Sequence, residues 1–122
     1  MATSIAWNNL DTLESFKKLQ SLKGRVSVVQ ELSGPGATDR IGGYSIQMGG
    51  GLTYSYAAKQ VDEKVLDVLS ELAKEAQLSE KFEALYNGEV VNTGEKRMVL
   101  HQLTRGQLGK EVMAEGKNKR EF

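Results

Sequence analysis

The sequence contains no cysteine, one proline and one histidine, His101. Without cysteine there is no disulfide framework, no thiolate metal site and no cysteine nucleophile. A single histidine also argues against a zinc centre, which needs several histidine, cysteine or carboxylate ligands together. We therefore expect no metal site and no cysteine chemistry in this chain.

Long apolar runs and net charge are also missing. The longest apolar runs are only a few residues, far short of the roughly 20 that span a bilayer. The first residues lack the positive charge and apolar core of a secretory signal. The 16 acidic and 16 basic residues cancel, so no long-range field attracts a polyanion. These features predict a cytoplasmic protein that binds neither membrane nor nucleic acid.

The first third of the chain carries one helical pattern. Apolar residues at helical spacing predict a helix over residues 9–23, which Gly24 ends. Residues 26–32 fit either a helical turn or a strand. A surface loop is expected over residues 33–40, because its Ser-Gly-Pro-Gly run breaks regular structure.

The middle of the chain predicts a β-hairpin and a long helix. Apolar residues alternate from Ile41 to Tyr56 on both sides of three glycines at 49–51, as in a hairpin. A phosphate-binding loop is disfavoured there because no Gly-Lys-Ser/Thr follows the glycines. Residues 62–77 form the clearest amphipathic helix, with Asp62 as its cap.

Two shorter helices are predicted next. Residues 79–85 suit a helix ended by Gly88. Residues 92–95 have the spacing of a capping box, which predicts a helix through Leu103. After Arg105 the sequence is polar, and its basic cluster at 117–120 is interpreted as a solvated tail. The fold class is therefore α+β, a single segment over residues 1–122 with one β-hairpin.

The residues alone name no function. His101 has Val99 and Leu100 as neighbours, and a histidine in such a setting is more often a packing group than a proton-transfer group. Carboxylates one helical turn apart, such as Glu71 and Glu75, are typical of a solvated helix face. The sequence thus predicts no self-contained active site.

The stretch from residue 88 to 101 reads Gly-Glu-Val-Val-Asn-Thr-Gly-Glu-Lys-Arg-Met-Val-Leu-His. It resembles the N-terminal signature of the glucose-6-phosphate isomerase (phosphoglucose isomerase) family, Gly-Glu-x-(Val/Ile)-Asn followed by Thr-Glu-x-Arg-x-Val-Leu-His. The signature residues that we single out are Asn92, Glu95, Arg97, His101 and Arg105.

The resemblance extends over residues 50–110. Residues 52–60 are similar to the family's strand that ends in Asp-Tyr-Ser-Lys-Asn, and the long helix follows in both. Gly94 stands where the family usually has Thr, Ser55 replaces Asp, and residues 103–107 replace the commoner Ala-Leu-Arg. These departures indicate a divergent bacterial branch.

The resemblance implies an enzyme that interconverts glucose 6-phosphate and fructose 6-phosphate without a metal or organic cofactor. It implies an N-terminal segment of a larger α/β sugar-isomerase (SIS-type) fold, with the catalytic domains beyond residue 122. The implied partners are the missing C-terminal part, a sugar phosphate bound only by the full-length protein, and a second subunit in a homodimer. No catalytic residue is expected among residues 1–122.

The signature is expected to have a structural role. Asn92 and Glu95 would satisfy amide donors at a helix start, and Arg97, His101 and Arg105 would hold that helix against the rest of the enzyme. The alternatives are a free-standing protein-interaction module, which the lack of catalytic groups would suit, and a regulatory paralogue that lost catalysis.

Overall fold

The structure, a computed structural model, describes residues 4–24, 26–105, 111–114 and 117–119. The chain divides into two compact units, Glu14–Ser70 and the combination of Met1–Leu13 with Glu71–Phe122. Helices and short antiparallel strand pairs are both present, which confirms the α+β class. In the described ranges the α-helices are α1 (Glu14–Ser21), α2 (Val28–Ser33), α3 (Ala37–Gly43), α4 (Glu63–Glu75) and α5 (Leu78–Tyr86), and the strands are β1 (Ser45–Gln47), β2 (Thr53–Ser55), β3 (Val90–Asn92), β4 (Arg97–Met98), β5 (Met113–Ala114) and β6 (Lys117–Asn118).

The first predicted helix, over residues 9–23, starts later than expected. Leu10–Thr12 form a 3-10 helix and Leu13 is extended, with φ −81° and ψ 138°, so α1 begins only after it. The Thr12 hydroxyl donates a hydrogen bond to the Asn9 carbonyl oxygen at 2.7 Å. A side-chain bond of this kind competes with the backbone hydrogen bonds of an α-helix. The 3-10 helix is therefore separate from α1.

Two short helices replace the ambiguous stretch and the predicted loop. Residues 26–32 contribute to a helix, α2, and not to a strand. The loop predicted over residues 33–40 is wrong from Ala37 onwards, where α3 begins. Arg40, the last residue of that predicted loop, lies 3.9 Å from the Glu31 carboxylate of α2. Arg40 also donates hydrogen bonds to carbonyl oxygens 17 to 21 residues away, which the local sequence does not reveal.

Arg40 is the buried polar centre of the Glu14–Ser70 unit, with 7% of its surface exposed. Its Nε donates to the Ala57 carbonyl at 2.8 Å, and one terminal nitrogen donates to the Lys59 and Val61 carbonyls, both at 2.9 Å. The guanidinium also lies 4.3 Å above the Tyr44 ring. A buried guanidinium needs partners for its donors, and these contacts fix the connection between β2 and α4.

The predicted β-hairpin is confirmed as the pair β1 and β2. The strands are antiparallel, and Ile46 pairs with Tyr54. They are joined by a 3-10 turn at Gly49–Gly51, in which Gly50 and Gly51 have φ of +70° and +76°, a conformation that glycine adopts readily. The expected start at Ile41 is wrong because α3 extends to Gly43.

The long helix and its cap are confirmed. The Asp62 carboxylate accepts a hydrogen bond from the Val65 amide at 2.9 Å, which satisfies one of the free donors at the start of α4. Val65 is buried, while Leu66 is half-buried and Leu69 is partly exposed. The apolar residues of α4 from Val65 to Leu69 are thus only partly covered.

Gly88 ends α5 as predicted. It has φ +76°, and its amide donates to the Leu85 carbonyl at 3.1 Å, while the Glu89 amide donates to the Ala84 carbonyl at 2.9 Å. These two bonds form a Schellman motif, which satisfies the last carbonyls of a helix.

The predicted hairpin is one of three antiparallel strand pairs in the described residues. β3 pairs with β4 where a helix was predicted, and β5 pairs with β6 in the stretch that was interpreted as a polar tail. Lys117 is exposed there, as expected, but Val112 just before β5 is fully buried. Arg120, the last member of the basic cluster, lies outside the described residues.

Candidate functional site

The signature segment folds as a hairpin and not as a helix start. β3 ends at Asn92 and β4 begins at Arg97. The Asn92 carboxamide oxygen accepts the Glu95 amide hydrogen at 3.1 Å, as a cap would, but this bond closes a four-residue turn. Lys96 has φ +53°, and this left-handed residue turns the chain into β4 instead of into a helix. The predicted helix through Leu103 is therefore wrong.

Asn92, Glu95 and Arg97 lie together at this turn. The Asn92 side-chain nitrogen Nδ2 donates to a Glu95 carboxylate oxygen at 3.4 Å, and the same carboxylate lies 3.8 Å from the Arg97 guanidinium. The Glu95 and Arg97 side chains are 64% and 77% exposed, and exposed ion pairs contribute little to stability. The three residues define a local turn with its charged groups directed to solvent.

His101 and Arg105 lie at the two ends of a 3-10 helix, His101–Arg105. Both are exposed, whereas Leu103 between them is buried. The Thr104 hydroxyl donates to the His101 carbonyl at 2.8 Å. Among the described residues, no ion pair or side-chain hydrogen bond joins His101 or Arg105 to the Asn92 turn. The signature thus consists of two neighbouring exposed groups, not one converging cluster.

Gly88, the first signature residue, has a packing role that sequence reasoning did not find. It is buried, and a Cβ built at this position would overlap Val112 Cγ1 and lie 3.3 Å from Leu100 Cδ2. Val112 is held there because its amide donates to Asn118 Oδ1 at 3.2 Å and its carbonyl accepts from the Lys119 amide at 2.8 Å. The signature glycine therefore allows the β5–β6 pair to pack directly on the end of α5.

The sequence patterns also gave no role to Gln102, which connects two helices. Its side-chain nitrogen donates to the Leu85 carbonyl at 2.9 Å and lies 3.4 Å from the Tyr86 carbonyl, so it ties the 3-10 helix to α5. Its carboxamide oxygen is buried and has no hydrogen-bond partner within the described ranges. The available signal was the pair of polar residues, His101 and Gln102, between Leu100 and Leu103.

A second glutamine, Gln77, joins residues 4–6 to the start of α5. Gln77 accepts a hydrogen bond from the Ala6 amide at 2.7 Å and donates to the Ser4 carbonyl at 3.3 Å. The Lys81 ammonium lies 5.4 Å from the centre of the Trp7 ring. These contacts are structural, because each group is engaged within the chain.

Neither a metal-binding cluster nor a membrane-spanning helix occurs in the described part of the chain. No group of three or more histidine, aspartate or glutamate side chains in residues 4–24, 26–105, 111–114 and 117–119 is arranged to hold a metal ion. In the same ranges, no helix has both the length and the apolar character required to cross a membrane.

Comparison with known proteins gives one family. Residues 55–121 match the family model for phosphoglucose isomerase. The chain is 47% identical over 120 residues to the glucose-6-phosphate isomerase of Treponema denticola, a match that covers 95% of this chain and 23% of the relative. It is 42% identical over 120 residues to the Borrelia garinii subsp. bavariensis enzyme, covering 97% and 22%, and 44% identical over 99 residues to the Treponema pallidum enzyme, covering 81% and 18%.

The chain thus spans less than a quarter of the length of each of these relatives. The family model includes the whole signature from Gly88 to Arg105, and two of the relatives match 95% or more of the chain. These matches confirm the resemblance drawn from the signature string. On this evidence the chain belongs to the phosphoglucose isomerase family.

Proposed function

We propose that this chain is the N-terminal part of a glucose-6-phosphate isomerase, and that the complete protein interconverts glucose 6-phosphate and fructose 6-phosphate. The observation that carries the proposal is the 47% identity over 120 residues to an isomerase of which the chain covers 23%. The free-standing interaction module is not favoured by these matches.

The proposed reaction moves hydrogen between two neighbouring carbons of an open-chain sugar phosphate. A base removes the proton from C2 of the aldose, giving an enediolate, and a proton is returned to C1 while the C2 oxygen becomes the ketone. This chemistry needs a positioned base and a phosphate cradle of amide donors. We place both in sugar-isomerase domains beyond residue 122, and we assign no catalytic residue to this chain.

The signature residues then have a structural role in the proposal. Asn92, Glu95 and Arg97 keep the β3–β4 turn closed through contacts of 3.1 to 3.8 Å. His101 and Arg105 are exposed at the ends of the 3-10 helix. We propose that they contact the remainder of the enzyme, because their exposed side chains are available to a partner surface.

The remaining expectations form part of the same proposal. The complete enzyme acts in the cytoplasm as a homodimer and requires no metal or organic cofactor, as the family resemblance implies. Sugar phosphate binds only to the complete protein. The chain's direct partner is the C-terminal part of the enzyme.

The proposal is tested with a chimera in which this chain replaces the matched region of the Treponema denticola isomerase. Fructose 6-phosphate isomerisation is followed by oxidation of the glucose 6-phosphate that forms. We expect activity in the chimera and none in the isolated chain. Activity of the isolated chain would show that catalytic residues lie within residues 1–122.

A matched pair of variants separates structural from catalytic roles. His101→Ala in the chimera is expected to lower thermal stability while kcat at saturating substrate stays within about threefold of the parent, since the proposal gives His101 no proton-transfer step. Lys96→Ala, at an exposed position of the neighbouring turn, is the control for general effects on this segment. A loss of about 100-fold or more in kcat with unchanged stability would instead assign His101 to catalysis.

A further inference from the structure

The Glu14–Ser70 unit carries an open apolar groove between its hairpin and α4. The groove has a volume of about 620 Å³. Ile46, Tyr54 and Leu69 are 53%, 44% and 38% exposed at its surface. We call this surface the hairpin groove, and its apolar lining consists of Ile46, Tyr54, Tyr56, Val61, Leu66 and Leu69.

Backbone geometry directs these side chains to one face. Ile46 and Tyr54 are directly paired across the β1–β2 hairpin, and the Tyr54 and Tyr56 rings stack with centres 6.2 Å apart. Leu66 and Leu69 are three residues apart on α4 and so share a helix face. The hairpin groove is therefore one continuous apolar surface, and such surfaces on soluble proteins mark binding sites.

The unit's own core does not use this surface. Within the described residues of Glu14–Ser70, the buried apolar side chains are Ala57 and Val65, together with the buried polar residues Ser15 and Arg40. A unit of this size with so small a core is marginal by itself, because stability depends on apolar area removed from water. Covering the hairpin groove would supply the burial that the unit lacks.

One wall of the hairpin groove is also held in place. The connection that contains Lys59 and Val61 is fixed by the three hydrogen bonds from Arg40 to its carbonyl oxygens. A surface that is already ordered loses little conformational entropy on binding. The groove is thus suited to receive a chain segment without rearrangement.

Two observations identify the occupant of the hairpin groove. They are the length of the related isomerases outside the matched region and the positive charge of Lys59 at the edge of the groove. More than three quarters of the length of the related isomerases lies outside the region that this chain matches. Lys59 is exposed where it borders the apolar lining, so a carboxylate is favoured opposite it.

We propose that the hairpin groove receives an apolar segment, with a carboxylate beside Lys59, from the sugar-isomerase part of the same polypeptide. This inference rests on the proposed function, because it takes the rest of the isomerase as the occupant. A second copy of this chain is the competing occupant.

Cysteine labelling tests the proposal directly, since the chain has no cysteine of its own. Leu69→Cys places a thiol in the hairpin groove. Val29→Cys is the matched control, at a position on α2 in the same unit that is 78% exposed and outside the lining. Each variant is labelled with iodoacetamide in the isolated chain and in the Treponema denticola chimera, and the labelled peptide is identified by mass.

We expect the labelling rate at residue 69 to fall by about tenfold or more from the isolated chain to the chimera, as burial protects the thiol. The rate at residue 29 should stay within about twofold. Equal rates at residue 69 in the isolated chain and in an active chimera would overturn the proposal. Protection that already exists in the isolated chain and grows with its concentration would assign the groove to a second copy and overturn it equally.

The isomerase assay on the same chimera separates the two proposals. An active chimera with a reactive thiol at residue 69 would retain the proposed function and reject the docking surface. An inactive chimera with a protected thiol at residue 69 would support the docking surface and count against the proposed isomerase function.

Discussion

Replacing Gly88 by alanine is expected to destabilise the chain strongly. Gly88 has φ +76°, and a left-handed conformation costs a residue with a Cβ about 1–2 kcal/mol. The new Cβ would also overlap Val112 Cγ1, and overpacking in a core costs about 1–3 kcal/mol. The sum is about 2–5 kcal/mol, a large share of the 5–15 kcal/mol that typically separates folded from unfolded states.

Gly24 provides a matched control for the conformational part. It has the same φ of +76°, but a Cβ built there has no atom within 4 Å. Gly24→Ala should therefore lower the free energy of unfolding by only about 1–2 kcal/mol. Both variants are compared by urea unfolding followed by circular dichroism, with linear extrapolation to water.

A double variant identifies the overlap itself. Val112→Ala alone should destabilise the chain by about 2 kcal/mol, because it removes two buried methyl groups. In the Gly88→Ala background the same change should have a much smaller effect or a favourable one, since it removes the clashing Cγ1. Additive effects, or a loss at Gly88 no larger than at Gly24, would refute the close-packing argument.

Three further predictions concern the Glu14–Ser70 unit. Arg40→Met should lower the free energy of unfolding by about 2–5 kcal/mol in urea titrations, since it leaves three backbone carbonyls without their donor; a change below about 1 kcal/mol would contradict its role. Asp62→Ala should cost about 1 kcal/mol by the same assay, because it removes the bond to the Val65 amide, and an unchanged urea midpoint would argue against the cap. Burial, with the Glu63 carboxylate, raises the pKa of Tyr44 above its usual 10.0, so its contribution to stability is complete below about pH 10 and is lost as the pH rises through the raised pKa. Tyr44→Phe should remove this part of the alkaline loss in urea midpoints measured across that range, and identical pH profiles would count against it.

Sequence patterns correctly predicted the helices and the strand pair that are specified by residues close together in the chain. The β1–β2 hairpin follows from alternation around three glycines, and α4 follows from its apolar spacing and Asp62. The end of α5 at Gly88 is another local signal, because a Schellman motif involves only neighbouring amides and carbonyls. These features needed no tertiary information.

The Asn92–Glu95 spacing shows where local reasoning failed. The same hydrogen bond from the Glu95 amide to the Asn92 side chain can open a helix or close a turn. The pairing of β3 with β4 selected the turn, and a cross-strand partner is not visible in a four-residue motif. The predicted loop at residues 33–40 failed for a related reason, since Arg40 of α3 bonds to carbonyls 17 to 21 residues away.

The sequence by itself determined the family, through the string from Gly88 to His101, and also the α+β class. Only the tertiary structure decided what those residues do locally. It placed Val112 on the face of Gly88, put Gln102 beside the end of α5 and left the hairpin groove uncovered. The physical reason is that packing, burial and cross-strand pairing join residues far apart in the chain, whereas sequence patterns report the preferences of near neighbours.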